Sequence, residues 1–422
     1  MKLTMLCTVF ILCFVTSSAL GVTKENVSSS TLYNEHPDIW IDASNGSHMV
    51  YLEKNENGEW EIYYRYRASN GLYGSKIQIP VQTSKNFRQL FFAPKIAVDS
   101  SGVVHVVYID CQDTQNAEYA RVMYIRKSGS VWSSPIQISL DANELTPHSR
   151  CPDIFVDPAT DDVHVAWDQH PPDHEDGTLH CVYWCVWKSG EAGFENGRCL
   201  TDIQDEGTLL SWAPRIIVDA NHAVHLAYMK QDFVSQGGTY RQIWYTRADY
   251  NSLTCDWDWD DQQDHEIVED EELPVGAYYP SITLHNGVSS IIPYITFVRQ
   301  DSSGIDQVYS YKSSGSWVTP VAVNSSDVLI ILCEIEVTTS YVYVTMNQDN
   351  GDDESKIYLK RFNRSNDTFS STIDVLDTQY MSWTARLGKT SVGTWHVAWD
   401  DRQWLLDNPP VEFSNAFFSY PD

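Results

Sequence analysis

The chain has 422 residues, with 28 Lys and Arg against 57 Asp and Glu, and a formal net charge of −29. Phosphate binding needs a basic face, so this balance excludes nucleic acid as a favoured partner. We interpret the acidity as a solvated surface, with cation binding as the alternative.

Residues 1–21 are predicted to be a secretory signal peptide. They contain one Lys, an uncharged apolar stretch, and small residues at Ala19 and Gly21. A retained membrane anchor is the alternative, but the apolar core is short for a span. We therefore expect a secreted, soluble mature domain covering residues 22–422, without a membrane span.

The remaining seven Cys predict at least one unpaired thiol, since their number is odd. A disulfide between Cys185 and Cys199 across a hairpin is one possibility. N-x-S/T sequons predict a glycoprotein, and they begin at Asn26, Asn45, Asn324, Asn363 and Asn366.

A short phrase recurs along the mature chain. It consists of a small residue or Pro, an Ile-x-Val-Asp run, a gap, and His-Val-x-Tyr or His-Val-x-Trp. A repeat of this length indicates one supersecondary unit stacked on copies of itself. Aligned on the His, or on the Tyr that replaces it, the seven copies are centred on His48, His105, His164, His225, Tyr294, Tyr343 and His396.

Each copy predicts four short strands. An apolar first strand is followed by a turn with Asp, the His-Val-x-Tyr strand, a variable loop, an aromatic third strand, a tight turn, and a fourth strand near a Trp such as Trp132. This order, without sustained helical periodicity, predicts an all-β chain that folds as a single seven-bladed β-propeller with four-stranded antiparallel blades. The predicted blades cover about 36–92, 93–150, 151–212, 213–278, 279–330, 331–383, and 384–422 plus 27–33.

The last blade is predicted to be completed by the N-terminus. The seventh copy ends at Asp422, just after its third strand, so residues 27–33 are expected to supply the fourth strand and close the ring. The repeated His residues lie on different blades and cannot converge on one ligand. We interpret them as structural hydrogen-bonding residues, and the Asp of each first turn as a turn-former.

Ligand binding is expected on the face that carries the loops between strands two and three, at the mouth of the central channel. In three copies a cation directly precedes the first Ile or Leu of the first strand. An aromatic residue lies shortly before each of these cations, and in two copies the segment has the pattern S-W-x-x-R. Arg can hold a carboxylate and Trp can stack on a sugar ring. The alternative is packing, with each cation paired to an acid of a neighbouring blade. These candidates are Arg215, Arg386, Lys95, Trp212, Trp383 and Phe92, and the other copies have Asp38, Asp153, Ser281 and Glu334 at the cation position.

Two sets of acids complete the candidates. Asp168 and Asp400 are at the ends of second strands. Carboxylates at this position are suited to general acid–base catalysis, and the alternative is that they are solvated strand ends. A loop in the sixth copy is a candidate Ca²⁺ site, because hard cations favour clustered carboxylates; its residues are Asp349, Asp352, Asp353 and Glu354. No other cofactor is expected. The acidic segment 256–272 is interpreted as a solvated insertion.

The blade phrase resembles the sialidase-like superfamily of propellers, with their BNR or Asp-box repeats. Residues 128–132 and 313–317 keep the Ser, Gly and Trp of the Asp-box without its Asp. Sialidases of this family hold a carboxylate with three Arg, the first in an R-I-P run, whereas Arg215 is followed by Ile-Ile. The related seven-bladed polysaccharide lyases use His and Tyr near an Arg that neutralises a uronate. The resemblance implies such roles for His170, His174, Tyr278 and Tyr279.

Three hypotheses of function follow. The first is a secreted, non-catalytic, monomeric propeller that binds a glycan or an extracellular protein on its top face. The alternative is an extracellular enzyme, a glycoside hydrolase or polysaccharide lyase, that acts on an acidic sugar. The third is a structural or adhesive surface protein. Propellers host all three kinds of function, so the fold does not choose between them.

Overall fold

The computed structural model describes residues 22–28, 34–81, 93–111, 120–139, 149–170, 180–201, 210–233, 239–259, 265–269, 276–286, 290–301, 304–323, 333–349, 355–374, 381–389, 395–405 and 411–421. The predicted signal peptide lies outside these ranges. Within these ranges, no helix is long and apolar enough to span a bilayer.

The described residues form strands and turns. From the N-terminus the first three groups of strands are β1 (Val22–Asn26); β2 (Asn34–Ile41), β3 (Ser47–Lys54), β4 (Trp60–Arg67) and β5 (Ile77–Gln78); and β6 (Lys95–Val98), β7 (Val104–Cys111), β8 (Ala120–Ser128), β9 (Val131–Trp132) and β10 (Ile136–Gln137).

The middle of the chain continues in the same order. Its strands are β11 (Ser149–Val156), β12 (Val163–Gln169), β13 (Cys181–Trp187) and β14 (Arg198–Cys199); and β15 (Leu210–Val218), β16 (Val224–Phe233), β17 (Thr239–Asn251), β18 (Asp256–Asp258) and β19 (Glu266–Glu269).

The remaining strands complete the chain. They are β20 (Ala277–Asn286), β21 (Ile291–Asp301), β22 (Gly304–Ser313), β23 (Ser316–Trp317) and β24 (Val321–Ala322); β25 (Cys333–Val337), β26 (Tyr341–Asp349), β27 (Ser355–Asn363) and β28 (Thr368–Asp374); and β29 (Met381–Lys389), β30 (Trp395–Leu405) and β31 (Val411–Pro421).

Neighbouring strands pair antiparallel in each sheet, and the first strand of each sheet lies at the centre of a β-propeller. The inner strands β2, β6, β11, β15, β20, β25 and β29 contact one another in this order, and β29 contacts β2. The apolar faces of successive sheets pack together and bury large side chains such as Trp167, Phe297 and Trp399. The predicted all-β propeller is therefore present.

The prediction of a seven-bladed propeller with four-stranded blades is wrong. Six blades are each folded from one continuous stretch of chain, and three of these have five strands instead of four. In two of the three, Pro135 or Pro320 separates the outer strands, because proline has no N–H to continue the ladder. The other sheet is a composite of the two chain ends, in the order β1-β31-β30-β29.

The closing strand also differs from its predicted position. β1 pairs with β31 from Val22↔Pro421 to Asn26↔Phe417, so residues 22–26 rather than 27–33 complete the composite sheet. Val27 leaves the strand and is buried among Ile39, Tyr51 and Ala398. Residues 29–33 lie outside the described ranges.

The repeated His residues form hydrogen-bonded triads in three of the blades. In three blades the His Nε2 contacts the turn Asp and the His Nδ1 contacts a third-strand Tyr hydroxyl. The His225 contacts are 3.1 Å to Asp219 and 2.6 Å to Tyr245. These contacts confirm the structural interpretation for His48, His105 and His225, whereas the buried ring nitrogens of His164 have no hydrogen-bond partner among the described residues. The other two triads are Asp42–His48–Tyr64 and Asp99–His105–Tyr124.

Candidate functional site

A β-bulge interrupts most inner strands just before the position that varies between the copies. A bulge bends a strand and re-aims its side chains. At four of these places a non-glycine residue with positive φ precedes a proline, a backbone geometry that is uncommon and concentrated at functional sites. These residues are His36 (φ 54°), Cys151 (φ 48°), Ala213 (φ 49°) and Tyr279 (φ 51°).

The residues at this varying position converge on the propeller axis, five of them just after a bulge. We call this set the axial ring, and it contains three cations, three carboxylates and one serine. In order around the axis the charges alternate, and the serine takes one place between a cation and an acid. The axial ring is Asp38, Lys95, Asp153, Arg215, Ser281, Glu334 and Arg386.

Ion pairs join neighbouring members of the axial ring. Lys95 Nζ lies 3.3 Å from Asp38 Oδ1 and 3.9 Å from Asp153 Oδ1. Arg215 Nε lies 3.1 Å from Asp153 Oδ2. Arg386 Nε lies 3.6 Å from Asp38 Oδ1, and this ion pair joins the last inner strand, β29, to β2.

Glu334 receives the densest set of contacts. Arg215 donates to both of its carboxylate oxygens, at 2.7 and 2.9 Å. Ser281 Oγ donates to Glu334 Oε2 at 2.7 Å, and Arg386 donates to Oε1. The backbone helps to hold the other acids: Ile96 N donates to Asp38 at 3.0 Å, among such contacts.

Burial and the neighbouring charges set the ionisation of the axial ring. Burial, together with the cations Arg215 and Arg386, lowers the pKa of Lys95 to about 8, against the opposing effect of Asp38 and Asp153. Burial acts to raise the pKa of Glu334, but Arg215, Arg386 and Lys95 outweigh it and hold that pKa well below its usual range. The positive and negative groups therefore satisfy one another inside the protein.

A small pit lies against the axial ring. Its volume is about 50 Å³, little more than the roughly 30 Å³ that one water occupies, so it is too small for a sugar ring. Cys151 and Tyr279 line it together with the three ring cations. Prolines of the bulges also line it: Pro152, Pro214 and Pro280.

A second group, which we call the histidine cluster, lies beside this pit and contains Cys151, Asp168, His170, His180 and Trp212. His180 Nδ1 lies 3.2 Å from Asp168 Oδ2, and the rings of His170 and His180 are 4.1 Å apart between centroids. The His180 ring meets that of Trp212 at 5.9 Å. Asp168 and His180 are 1% and 5% exposed.

Strand ends position the histidine cluster. Asp168 lies near the end of β12, His170 follows that strand, and His180 directly precedes β13. The neighbouring first strand is tied to them, because Ser211 N donates to His180 O at 2.8 Å and Ala213 N donates to Asp168 Oδ1 at 3.3 Å. All of these groups therefore lie at the same end of their sheets.

Asp168 also interacts with the thiol of Cys151. Burial raises the pKa of Cys151 well above its usual value, and the hydrogen bond and negative charge of Asp168 raise it further. Burial likewise raises the pKa of Tyr279, with a smaller contribution from Cys151. Tyr279 is thus electrostatically connected to the histidine cluster through the pit that it shares with Cys151.

An arginine supports the neighbouring tyrosine. Arg241 donates to the Tyr278 hydroxyl, and its guanidinium lies 4.7 Å from the centre of the Tyr278 ring. Arg241 Nε also donates to Gln231 at 2.7 Å. The arrangement places a Tyr pair, two His and a cation on adjacent blades of one face.

The structure separates the sequence-predicted site residues into groups. Lys95, Arg215 and Arg386 enter the axial ring, while Trp212 and Asp168 enter the histidine cluster. Backbone is described for Trp383, Asp400 and Asp349, but their side chains lie outside the described part of the chain. Phe92, His174, Asp352, Asp353 and Glu354 lie outside the described ranges.

Sequence reasoning missed His180, Cys151 as a member of the site, and Arg241. His180 lies outside the repeated phrase, and its one sequence signal is that it directly precedes a third strand. Within the described residues, no group of three or more His, Cys, Asp or Glu is arranged to hold a metal ion. The Ca²⁺ site in the sixth copy stays a prediction. No disulfide joins Cys185 to Cys199, since both are thiols.

No family model matches the sequence. No curated protein matches it either.

Solved structures do match. An ulvan lyase of polysaccharide lyase family PL25 aligns with a TM-score of 0.60 and 9% identity over 92% of this chain and 94% of that chain. Polysaccharide lyase Uly1 aligns with a TM-score of 0.57 and 7% identity over 91% and 89%. A Hadza microbial sialidase aligns with a TM-score of 0.48 and 11% identity over 84% and 72%. At the level of the fold, the predicted resemblance to this group of glycan-active propellers is confirmed.

Proposed function

We propose that this chain is an extracellular enzyme that cleaves an acidic polysaccharide by β-elimination. The observation that carries the proposal is the histidine cluster, in which the Asp168 carboxylate lies 3.2 Å from Nδ1 of His180 and the His170 ring lies beside it on the loop-bearing face. Two lyases share the fold, which supports the enzyme hypothesis over non-catalytic binding. Secretion rests on the predicted signal peptide.

The required chemistry suits these side chains. In β-elimination at a uronate, a base removes the proton from C5, the bond from C4 to the leaving oxygen breaks, a C4–C5 double bond forms, and the leaving oxygen takes up a proton. His and Tyr are suitable general bases and acids. Because Asp168 faces Nδ1 of His180, the carboxylate favours a proton there and leaves Nε2 to accept one. We assign the base to His180, with Tyr279 as the candidate acid.

The substrate carboxylate requires a cation, which stabilises the charge that develops next to C5. The axial cations are committed to buried carboxylates, so a direct contact between Lys95, Arg215 or Arg386 and a glycan stays a prediction. Arg150, which pairs with Asp168 in the register of β11 and β12, and Arg241 are half-buried beside the cluster. We propose Arg150 and Arg241 as the residues that face the uronate.

The carboxylates of the site favour a lyase over a glycoside hydrolase. A hydrolase of the usual kind places two carboxyl groups on either side of the scissile bond, roughly 5–10 Å apart. Among the described residues of this site, Asp168 faces His180 and Cys151, and Asp38, Asp153 and Glu334 face buried cations. Each acid already has a basic or hydrogen-bonding partner.

The test is product formation from uronate-containing polysaccharides, with ulvan, polygalacturonate, alginate and chondroitin sulfate as probes. We expect an increase in ultraviolet absorbance from the unsaturated product with at least one polymer, and its loss in His180→Ala and Tyr279→Phe. Size-exclusion chromatography and thermal melting establish that the variants are folded. A wild-type protein that binds a polymer without cleaving it would instead support the non-catalytic hypothesis.

A further inference from the structure

A large groove lies at the opposite end of the sheets from the histidine cluster. Its volume is about 1230 Å³, and it runs between the sheet that begins with β15 and the sheet that begins with β20. Most of the residues that line it come from the end of β17, from β18, from the start of β21 and from the turn between β22 and β23, and Arg198 of β14 and Glu266 of β19 line it as well. We call it the lower groove.

An extended hairpin forms one wall of the lower groove. β17 continues to Asn251 and pairs with β18 from Asp249↔Asp258 to Asn251↔Asp256. Trp257 anchors the hairpin, since it is 1% exposed and its Nε1 donates to His222 O at 2.7 Å. The start of the acidic segment 256–272 is thus an ordered strand, and its interpretation as a solvated insertion is wrong for these residues.

The same hairpin presents an aromatic surface. Trp259 is half-buried, lines the groove, and packs edge-on against Trp184 at 5.3 Å between ring centroids. The contact holds the indole in place while part of it remains accessible. A fixed, partly exposed Trp is a stacking surface for the apolar face of a sugar ring.

Charged groups of both signs line the groove. Arg247 Nη2 lies 2.5 Å from Asp249 Oδ1, and both side chains are well exposed, at 44% and 70%. Lys312 pairs with Glu266 on the opposite wall, and Arg198 is exposed on the lining. The lining holds these three cations and four carboxylates, Asp249, Asp256, Asp258 and Glu266, so it offers cations for acidic substituents and carboxylates for hydroxyl groups.

The size and lining indicate the class of ligand. Pockets for small ligands usually measure about 300–1,000 Å³ and are mostly apolar. The lower groove is larger, and charged groups and serines line it along with the Trp. Guanidinium and carboxylate groups form paired hydrogen bonds with neighbouring hydroxyls, and guanidinium groups also hold carboxylate or sulfate substituents. An extended, hydrated polymer with acidic substituents fits this combination.

We infer that the lower groove is a second, non-catalytic binding site for an acidic polysaccharide, with Trp259 as the stacking surface and Arg247 and Arg198 as contacts to acidic substituents. That the polymer is of the same class as the substrate rests on the proposed function. A site on the far face holds the enzyme on a polymer while the histidine cluster acts on another segment. This tethering raises the effective concentration of polymer at the histidine cluster.

Affinity gel electrophoresis with ulvan, polygalacturonate, alginate or chondroitin sulfate in the gel tests the inference. His180→Ala serves as the parent protein, because it removes cleavage and leaves the groove intact. We expect at least one polymer to retard it, and Trp259→Ala or Arg247→Ala to weaken the apparent affinity by about tenfold. Arg247→Ala is the decisive variant if Trp259→Ala lowers the melting temperature, because Arg247 is exposed.

Matched controls come from the same fold. Arg126 occupies the repeat position of Arg247 in another blade and is exposed, and Leu253 is 94% exposed at the tip of the same hairpin. Arg126→Ala and Leu253→Ala should migrate like their parent. Absence of retardation by every polymer, or equal retardation of the Arg247→Ala variant, overturns the inference. Groove-dependent retardation without any cleavage by the wild-type protein overturns the proposed function and leaves the groove assignment standing.

Discussion

Arg215 forms an ion pair with Glu334 across an intervening blade. The two residues belong to β15 and β25, and β20 lies between them, yet both carboxylate oxygens accept from the guanidinium at 2.7 and 2.9 Å. Ser281 of β20 makes this possible, because its side chain is short and donates to the same carboxylate at 2.7 Å. One neutral residue in the axial ring therefore lets a cation link two non-adjacent blades.

Glu334→Gln should destabilise the protein strongly. Removing one partner from a buried ion pair typically costs about 3–5 kcal/mol, since the remaining charges stay buried, and here Arg215 and Arg386 each lose one of their two carboxylate partners. The free energy of unfolding, measured by urea denaturation, should fall by about that amount. Asp249→Asn, which breaks the exposed pair with Arg247, is the control and should cost less than about 1 kcal/mol. Equal small effects of the two variants would contradict a buried ring.

His164 should make the protein sensitive to mild acid. Burial lowers the pKa of His164 to about 3, against the opposing effect of Asp157. The folded state therefore keeps His164 neutral, while the unfolded chain takes up a proton below about pH 6.5. The stability linked to this group is present above pH 6.5 and is lost as the pH falls towards 3.

The loss between pH 8 and pH 5 should amount to about 2 kcal/mol for this one residue. Urea denaturation of wild-type protein and His164→Gln at both pH values measures it, because Gln does not titrate. The variant should show the smaller difference between the two pH values, even if it is less stable at pH 8. An identical difference in both proteins would rule out His164 as the source.

Asp168→Asn should impair catalysis more than stability if the proposed function holds. The amide carries no negative charge to favour a proton on Nδ1 of His180, so Nε2 is no longer reserved as the proton acceptor. We expect kcat to fall by about 10²- to 10⁴-fold and the pH profile of the remaining activity to shift. Asp110→Asn is the control, since Asp110 ends the second strand of another blade and should keep full activity. A change in KM alone would argue against the assigned role.

Thiol reactivity should distinguish the cysteines. Cys255 is exposed in the turn between β17 and β18, whereas burial raises the pKa of Cys151 and of Cys185 well above the usual value. The thiolate is the reactive form, so the buried thiols should resist alkylation. Mass spectrometry after brief iodoacetamide treatment of the native protein should find Cys255 modified first. Comparable labelling of Cys151 would show that the pit opens in solution.

Local repetition makes the propeller recognisable from the amino-acid sequence. The Ile-x-Val-Asp and His-Val-x-Tyr runs predict the first and second strands, and the aromatic runs predict the third, because each signal is confined to a few adjacent residues. The closing strand begins five residues before its predicted position, since both candidate segments are short and neither carries a repeat signal. The broken outer strands follow from Pro135 and Pro320, a signal that the sequence does contain.

The sequence by itself determined the order of the strands and the identity of the residue at each varying position of the phrase. Only the tertiary structure decided what those residues do together. Arg215 and Glu334 are separated by 119 residues and meet because the ring closes and the bulges turn them inward. His180 meets Asp168 because β12 and β13 pair in one register. This convergence depends on contacts between residues that are far apart in the sequence, and a local sequence pattern contains no information about such contacts.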